Sequence, residues 1–166
     1  MKCSWGRWSS GLLLAVGALA PSTAVAQGPD RAGDGVIAYR SDTTFAATLA
    51  RAQAAIEDRP VTLMLTVDHA AAAERVGRAL APNTVLVFGA PQIGSQIMAC
   101  APGAGIDLPQ KLQIRAADDG VVVAYNDPAY LRSRHAVEGC DSVLEQVSSA
   151  VDGIAREAAG VGSQEP

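Results

Sequence analysis

Residues 111–125, KLQIRAADDGVVVAY, decide the fold class of this chain. Two β-prone runs, Lys111–Ala116 and Val121–Tyr125, flank Asp118-Asp119-Gly120, which is typical of a tight hairpin turn. Because a hairpin makes its two strands antiparallel, the stretch excludes a purely doubly wound parallel sheet. It therefore predicts a protein of the α+β class.

Strands and helices alternate on the N-terminal side of this hairpin, and further helices follow it. The β-prone runs there are 36–40 (VIAYR), 61–67 (VTLMLTV) and 84–88 (TVLVF). Helical spacing of apolar residues predicts helices over 42–58, 70–80, 93–101, 129–135 and 141–158. The order β-α-β-α-β-α-β-β-α predicts one α+β domain over residues 36–159, a mixed five-stranded sheet with helices packed on one face.

The two ends of the chain carry different patterns. Lys2 and Arg7, the apolar run 11–20 and Ala24-Val25-Ala26 predict a signal peptide over residues 1–26, with an uncleaved anchor as the alternative. The apolar run is much shorter than the ~20 residues that cross a bilayer. We therefore expect a periplasmic or secreted protein with no transmembrane segment after signal cleavage. A flexible leader over 27–35 and a frayed tail over 160–166 are predicted from composition.

Charge and cysteine content bound the function further. The formal net charge is −4, and loss of Lys2 and Arg7 with the signal makes the chain more acidic. Nucleic acid is an unsuitable partner because phosphate binding needs a cationic surface. Cys100 and Cys140 remain as an even pair for an oxidising compartment, either as a disulfide or as two separate buried thiols.

Asp68-His69 is the most notable polar pair, because it lies between a predicted strand and a predicted helix. A His beside a carboxylate could act as a base or bind a metal ion. In an enzyme, His69 would be the general base, oriented by Asp68 or Asp127. The alternative is that Asp68 caps the helix and His69 has no chemical role.

Two further segments supply candidate ligand-binding residues: Gly89, Pro91, Gly94 and Ser95 in one, and Asn126 and Asp127 in the other. The backbone N–H groups of a helix start can hold an anion, although the glycines and proline could equally serve only the turn. Since all three polar segments follow strands, we expect them to meet at one rim of the sheet. Such a rim would suit a small polar or anionic ligand, or a metal ion.

Met64 and Met98 could be soft metal ligands in an exported protein, but both lie in apolar stretches, which favours core filling. His69 and His135 show no spacing typical of a zinc site, so no metal ligands are predicted.

Four segments together resemble domain-of-unknown-function family 302, over about Val36 to Ala158. They are 66–70 (TVDHA), 87–98 (VFGAPQIGSQIM), 104–109 (AGIDLP) and 125–128 (YNDP). The family often has Asn where this chain has Ala90. The resemblance implies a small α+β domain that pairs into dimers, and it implies no established activity.

Together these observations favour an exported, non-catalytic domain that binds or senses a small ligand as a homodimer. The alternatives are an enzyme based on His69, a metal- or haem-binding protein, and a structural protein that binds a partner.

Overall fold

A computed structural model describes residues 30–31 and 35–162 of the chain. The strands are β1 (Asp30–Arg31), β2 (Val36–Ser41), β3 (Thr62–Asp68), β4 (Asn83–Gly89), β5 (Gln110–Ala117) and β6 (Gly120–Asn126). The helices are α1 (Phe45–Glu57), α2 (His69–Glu74), α3 (Pro91–Cys100), α4 (Tyr130–His135) and α5 (Asp141–Ala159), with a short 3₁₀ helix at Pro102–Ile106.

Five strands form the body of the sheet, and the two-residue β1 adds to one edge in the order β1-β2-β6-β5-β4-β3. The α+β class is confirmed, as is the hairpin, in which Ala117 pairs with Gly120. The expectation of a mixed sheet is wrong, because every pair of neighbouring strands is antiparallel. β2 and β3 are joined by α1 and run in the same direction, but β6, β5 and β4 lie between them.

The helices α1, α3 and α5 pack on one face of the sheet, as predicted. Alternate strand residues point to this face, and α1 and α5 cover them with small and branched side chains. The buried core includes Tyr39, Leu86, Phe88, Leu112, Ile114, Val123, Ala52, Ile56, Val147, Val151 and Ile154.

Several element ends differ from the sequence-based predictions. α1 begins at Phe45, later than the predicted start at residue 42, and Thr44 caps it by accepting from the N–H of Ala47. α2 ends at Glu74, whereas the predicted helix reached residue 80. None of its residues is buried, so packing against the core does not stabilise a longer helix. Asp30–Arg31, assigned to a flexible leader, pairs with β2.

The tail assigned as frayed begins with an ordered helix end. Gly160 has a φ of 74°, and its N–H donates to the carbonyl of Glu157 while Val161 N–H donates to that of Arg156. These two bonds form the Schellman motif that commonly ends a helix. The positive φ favours glycine at this position, and a Cβ there would also lie 2.5 Å from an oxygen of Asp42, so that side chain would have to move.

The predicted signal peptide, most of the leader and residues 163–166 lie outside the described residues. Within the described part, no helix has the length and apolar character needed to cross a membrane.

The antiparallel pairing gives the sheet two chemically different ends. β4 ends at Gly89, which pairs with Thr62 at the start of β3. Asp68, the last residue of β3, pairs instead with Thr84 near the start of β4. The two ends are separated by about five strand residues, or ~17 Å.

Candidate functional site

A pocket of about 720 Å³ lies between α3, α5 and the end of the sheet at Gly89. Its floor includes Phe88 of β4, and its walls come from α3, α5, the α1–β3 connection and the segment before β5. The volume falls in the range of pockets that bind small molecules, ~300–1,000 Å³.

Small residues on the walls leave this space unfilled. A Cβ at Gly89 would lie 3.5 Å from the Cβ of Pro109, and a Cβ at Gly105 would lie 3.1 Å from the sulfur of Met98. Gly94 and Ala150 also line the pocket without large side chains. Glycine and alanine at these positions therefore contribute no large side chain to the pocket walls.

The lining is predominantly apolar and includes two methionines. Met64 is 49% exposed and Met98 is 39% exposed, so the prediction that both fill the core is wrong. Both lie on the pocket wall instead. Methionine side chains are flexible and polarisable, so a wall of this kind can adapt to ligands of different shapes.

The lining of the pocket also includes a few charged or polar side chains. Among the described residues that line the pocket, only Arg59 is charged, and the uncharged polar side chains are Ser95, Gln110 and Gln146. Arg59 donates to the carbonyl of Ala55 at 2.5 Å and pairs with Glu157 at 3.0 Å. These contacts hold the guanidinium beside α5.

A disulfide between Cys100 and Cys140 joins the two helices that wall the pocket, which decides the alternative left open by the sequence. Cys100 is the last residue of α3 and Cys140 directly precedes α5. Their Cα atoms are 6.4 Å apart, within the range that a disulfide requires. The bond fixes the separation of α3 and α5 at one end of the pocket.

A second, polar pocket of about 200 Å³ lies beside α4, lined by Gly35, Asp107, Asn126, Tyr130 and Arg134. Asp107 pairs with Arg134 at 3.1 Å and also contacts His135. The hydrogen bond from His135, with those from Tyr130 and the charge of Arg134, lowers the pKa of Asp107 despite its partial burial. These partners satisfy the hydrogen-bonding capacity of the Asp107 carboxylate. The cluster therefore has a structural role, which is to hold α4 against the 3₁₀ helix.

The structure divides the predicted site residues among three places. Gly89, Pro91, Gly94 and Ser95 line the apolar pocket, whereas Asn126 lines the polar one. Asp127 accepts from the N–H of Ala129 at 3.0 Å and so serves as the predicted turn and cap.

Asp68 and His69 lie at the opposite end of the sheet, so the expected convergence of all three polar segments is wrong. Asp68 accepts from the N–H of Ala71 at 2.9 Å, which is the capping role. His69 is exposed and lines neither described pocket. An enzyme in which Asp127 orients His69 is excluded by this separation, because His69 follows β3 and Asp127 follows β6, and these two strands run in opposite directions.

Within residues 30–31 and 35–162, no group of three or more His, Cys, Asp or Glu side chains is arranged to hold a metal ion. No histidine or cysteine is among the described residues that line the apolar pocket.

Several pocket residues were not among those predicted from the sequence, including Arg59, Gly105, Pro109, Gln146 and Ala150. One signal was available, since small residues cluster at Gly89-Ala90, Gly94 and Gly105 where bulky side chains would fill a core. The contribution of α5 could not be found in this way, because its inward residues follow the same spacing as any buried helix face.

These features define a small α+β domain with an apolar pocket between its helices and one end of its sheet. The chain belongs to the family DUF302, described as a domain of unknown function, whose model matches residues 37–154. The family resemblance seen in the sequence is thereby confirmed.

A solved structure supports the same fold. The chain is similar to the crystal structure of an uncharacterised conserved DUF302 protein from Bacillus stearothermophilus, with a TM-score of 0.69 and 12% sequence identity. The match covers 76% of this chain and 99% of that chain.

Curated relatives are similar over only part of their length. The chain is 30% identical over 130 residues to fluoride-specific ion channel FluC 1 of Brucella suis biovar 1, a match that covers 76% of this chain and 50% of the relative. FluC 1 of Brucella abortus biovar 1 matches with the same identity, over 47% of its length. The chain thus spans about half the length of the curated relatives it matches.

Proposed function

We propose that this protein is an exported, non-catalytic domain that binds a small, predominantly apolar molecule in the pocket between α3 and α5. The observation that carries the proposal is the 720 Å³ pocket, whose walls are mostly apolar side chains and backbone. Burial of apolar ligand surface in such a pocket supplies the binding free energy, at about 25 cal/mol per Å².

This ligand class differs from the polar or anionic ligand expected from the sequence. That expectation rested on a rim shared by Asp68-His69, the Gly89 loop and Asn126, and the first of these lies at the other end of the sheet. Without His69 beside the pocket, the described residues of its walls include no histidine that could act as a general base. Binding without catalysis is therefore the function that the lining supports best.

The proposal is tested by filling the pocket. Ser95 and Ala99 are both exposed on α3, but only Ser95 lines the pocket. Nile red, a neutral apolar dye that fluoresces in apolar surroundings, serves as the probe. We expect Ser95→Trp to weaken dye binding at least ~10-fold because the indole occupies the cavity, and Ala99→Trp to leave it unchanged.

Thermal unfolding of both variants controls for folding, and the dye titration is the readout. Equal dye binding by the wild type and Ser95→Trp would contradict the location of the site. Absence of dye binding by the wild type would contradict the proposed function itself.

Export is part of the proposal. It is supported by the basic, apolar and small-residue pattern of residues 1–26 and by the Cys100–Cys140 disulfide, a bond that persists in oxidising compartments. Both features favour the periplasm or the exterior of the cell.

We also propose that two copies pair through the sheet face opposite to α1, α3 and α5. Val85 and Val87 alternate with the core residues of β4 and point away from these helices, and Leu65 of β3 is 56% exposed. These residues form an apolar strip along β3 and β4, bordered by Lys111 and Gln113 of β5, which pair with Val87 and Val85, and exposed apolar surface of this kind is typical of association surfaces. Light scattering after size exclusion should give a dimer for the wild type, a monomer for Val87→Glu, and a dimer for Ser149→Glu on α5. A monomeric wild type would contradict the pairing.

A further inference from the structure

We propose that the ligand is an anionic amphiphile, an apolar chain with one carboxylate-like group that pairs with Arg59. This assignment rests on the proposed function, since it concerns the same pocket. Its basis is that Arg59 is the only charged residue among the described residues that line the cavity.

The surroundings of Arg59 hold its charge at the pocket. The Ala55 carbonyl and the Glu157 carboxylate accept from its two terminal nitrogens at 2.5 and 3.0 Å. The guanidinium lies beside Gly153 of α5, where a Cβ would be in ordinary van der Waals contact with it, 3.5 Å from a terminal nitrogen. The side chain is 28% exposed, so it is neither fully hydrated nor sealed within the core.

The Arg59 guanidinium also has N–H groups that can donate to a ligand. A guanidinium carries five N–H groups in a planar fork that matches a carboxylate. Within the described residues, the contacts with Ala55 and Glu157 use two of them. A ligand carboxylate can therefore bind the same cation while its chain lies against the apolar walls.

Charge complementarity favours an anionic ligand over a cationic or neutral one. An ammonium group would be repelled by Arg59, and a hydroxyl would gain only a neutral acceptor bond. Glu157 competes for the guanidinium, but its side chain is 49% exposed and can be hydrated by water when a ligand replaces it.

The experiment compares dodecanoate, dodecanol and dodecylamine as competitors of Nile red, below the micelle concentrations of the two charged amphiphiles and below the solubility limit of dodecanol. We expect dodecanoate to bind the wild type ~5-fold more tightly than dodecanol, with dodecylamine the weakest. Arg59→Gln should abolish the preference for dodecanoate over dodecanol. Arg51→Gln should keep it, because Arg51 is an exposed arginine of α1, the helix just before Arg59, and it pairs with Asp42 and does not line the pocket.

Glu157→Gln provides a second, surface variant that does not disturb the core. It removes the competitor of the ligand, so dodecanoate should bind more tightly than to the wild type while dodecanol is unaffected. Equal binding of dodecanoate and dodecanol to the wild type would overturn the assignment of Arg59 but leave the proposed function standing. Binding of none of the three probes, or coverage of the pocket by a second copy in solution, would overturn both.

Discussion

Two tyrosines share one carboxylate at the contact between α5 and the sheet. Tyr39 and Tyr125 both donate to Asp152 of α5, the latter at 2.7 Å, and Arg156 donates to the same carboxylate at 2.6 Å. Arg156 also lies over the ring of Tyr39, 4.9 Å from its centre. The two phenol residues are 2% and 4% exposed, so their hydroxyl groups depend on Asp152 for an acceptor.

Removal of this carboxylate should destabilise the fold. We expect Asp152→Ala to lower the free energy of unfolding by about 2–3 kcal/mol, because two buried hydroxyl groups lose a charged acceptor. Glu145→Ala, at an exposed position of the same helix, is the matched control and should change little. Denaturant unfolding measures both, and a loss below about 0.5 kcal/mol for Asp152→Ala would argue against the network.

The burial of the tyrosine phenols predicts that the stability of the fold depends on pH. Burial, with the hydrogen bond to Asp152 and its charge, raises the pKa of Tyr39 to about 12 and also raises the pKa of Tyr125. Burial and the charge of Asp107 raise the pKa of Tyr130 to about 12. These are the three tyrosines of the chain.

A phenol whose pKa is higher in the folded state contributes stability that is complete below its unfolded pKa, ~10, and is lost as the pH rises towards 12. Stability should therefore fall above about pH 10. Phenolate absorbance should develop well above pH 10 in the native protein and near pH 10 in concentrated guanidinium. Coincident titrations in the two solvents would show that the phenols are not buried.

At the scale of the elements, the disulfide connects the helices that form opposite walls of the pocket. Cys100 is exposed, whereas Cys140 is 7% exposed. A bond that closes a loop of 40 residues contributes roughly 4 kcal/mol in the chain-entropy model.

Removal of this bond should affect both stability and the pocket. We expect the double variant Cys100→Ser, Cys140→Ser to lose up to ~4 kcal/mol of unfolding free energy and to bind Nile red more weakly, since α3 is no longer tied to α5. Reductant should lower the stability of the wild type but not of the double variant. Equal stability of the oxidised and reduced wild type would contradict this role.

The elements themselves were predictable from local patterns. The hairpin turn at Asp118-Asp119, the cap at Asp68 and the helix that ends near Asp58 all depend on residues close together in the chain. The order of the strands in the sheet was not predictable from such local patterns. β2 and β3 are joined by one helix, yet β6, β5 and β4 lie between them.

The site could be predicted only in part, because its geometry depends on which strands are neighbours in the sheet. The Gly89 segment was identified as a binding candidate and does line a pocket, since its turn residues are visible in the sequence. Asp68-His69 was placed beside it only on the assumption that strand ends share one edge, which holds for parallel strands. Arg59 and Ala150 come from elements whose approach to the Gly89 loop is a tertiary contact without a local signal.

At the scale of the whole molecule, the proposal of export makes a prediction about processing. Expression of the full chain in a Gram-negative host should give a periplasmic product whose sequence begins at Gln27, because Ala24-Val25-Ala26 has the small residues that signal peptidase requires. Cell fractionation and N-terminal sequencing measure this outcome. A cytoplasmic product that retains Met1 would contradict export.

If an apolar ligand binds between α3 and α5, at the Gly89 end of the sheet, amide chemical-shift mapping of the labelled protein during titration with dodecanoate will locate it. We expect saturable shifts concentrated in residues 89–98 and 146–154 and at Arg59, with little change at Asp68 and His69. Shifts centred on Asp68 and His69, or no saturable shifts at all, would contradict binding at this end of the sheet.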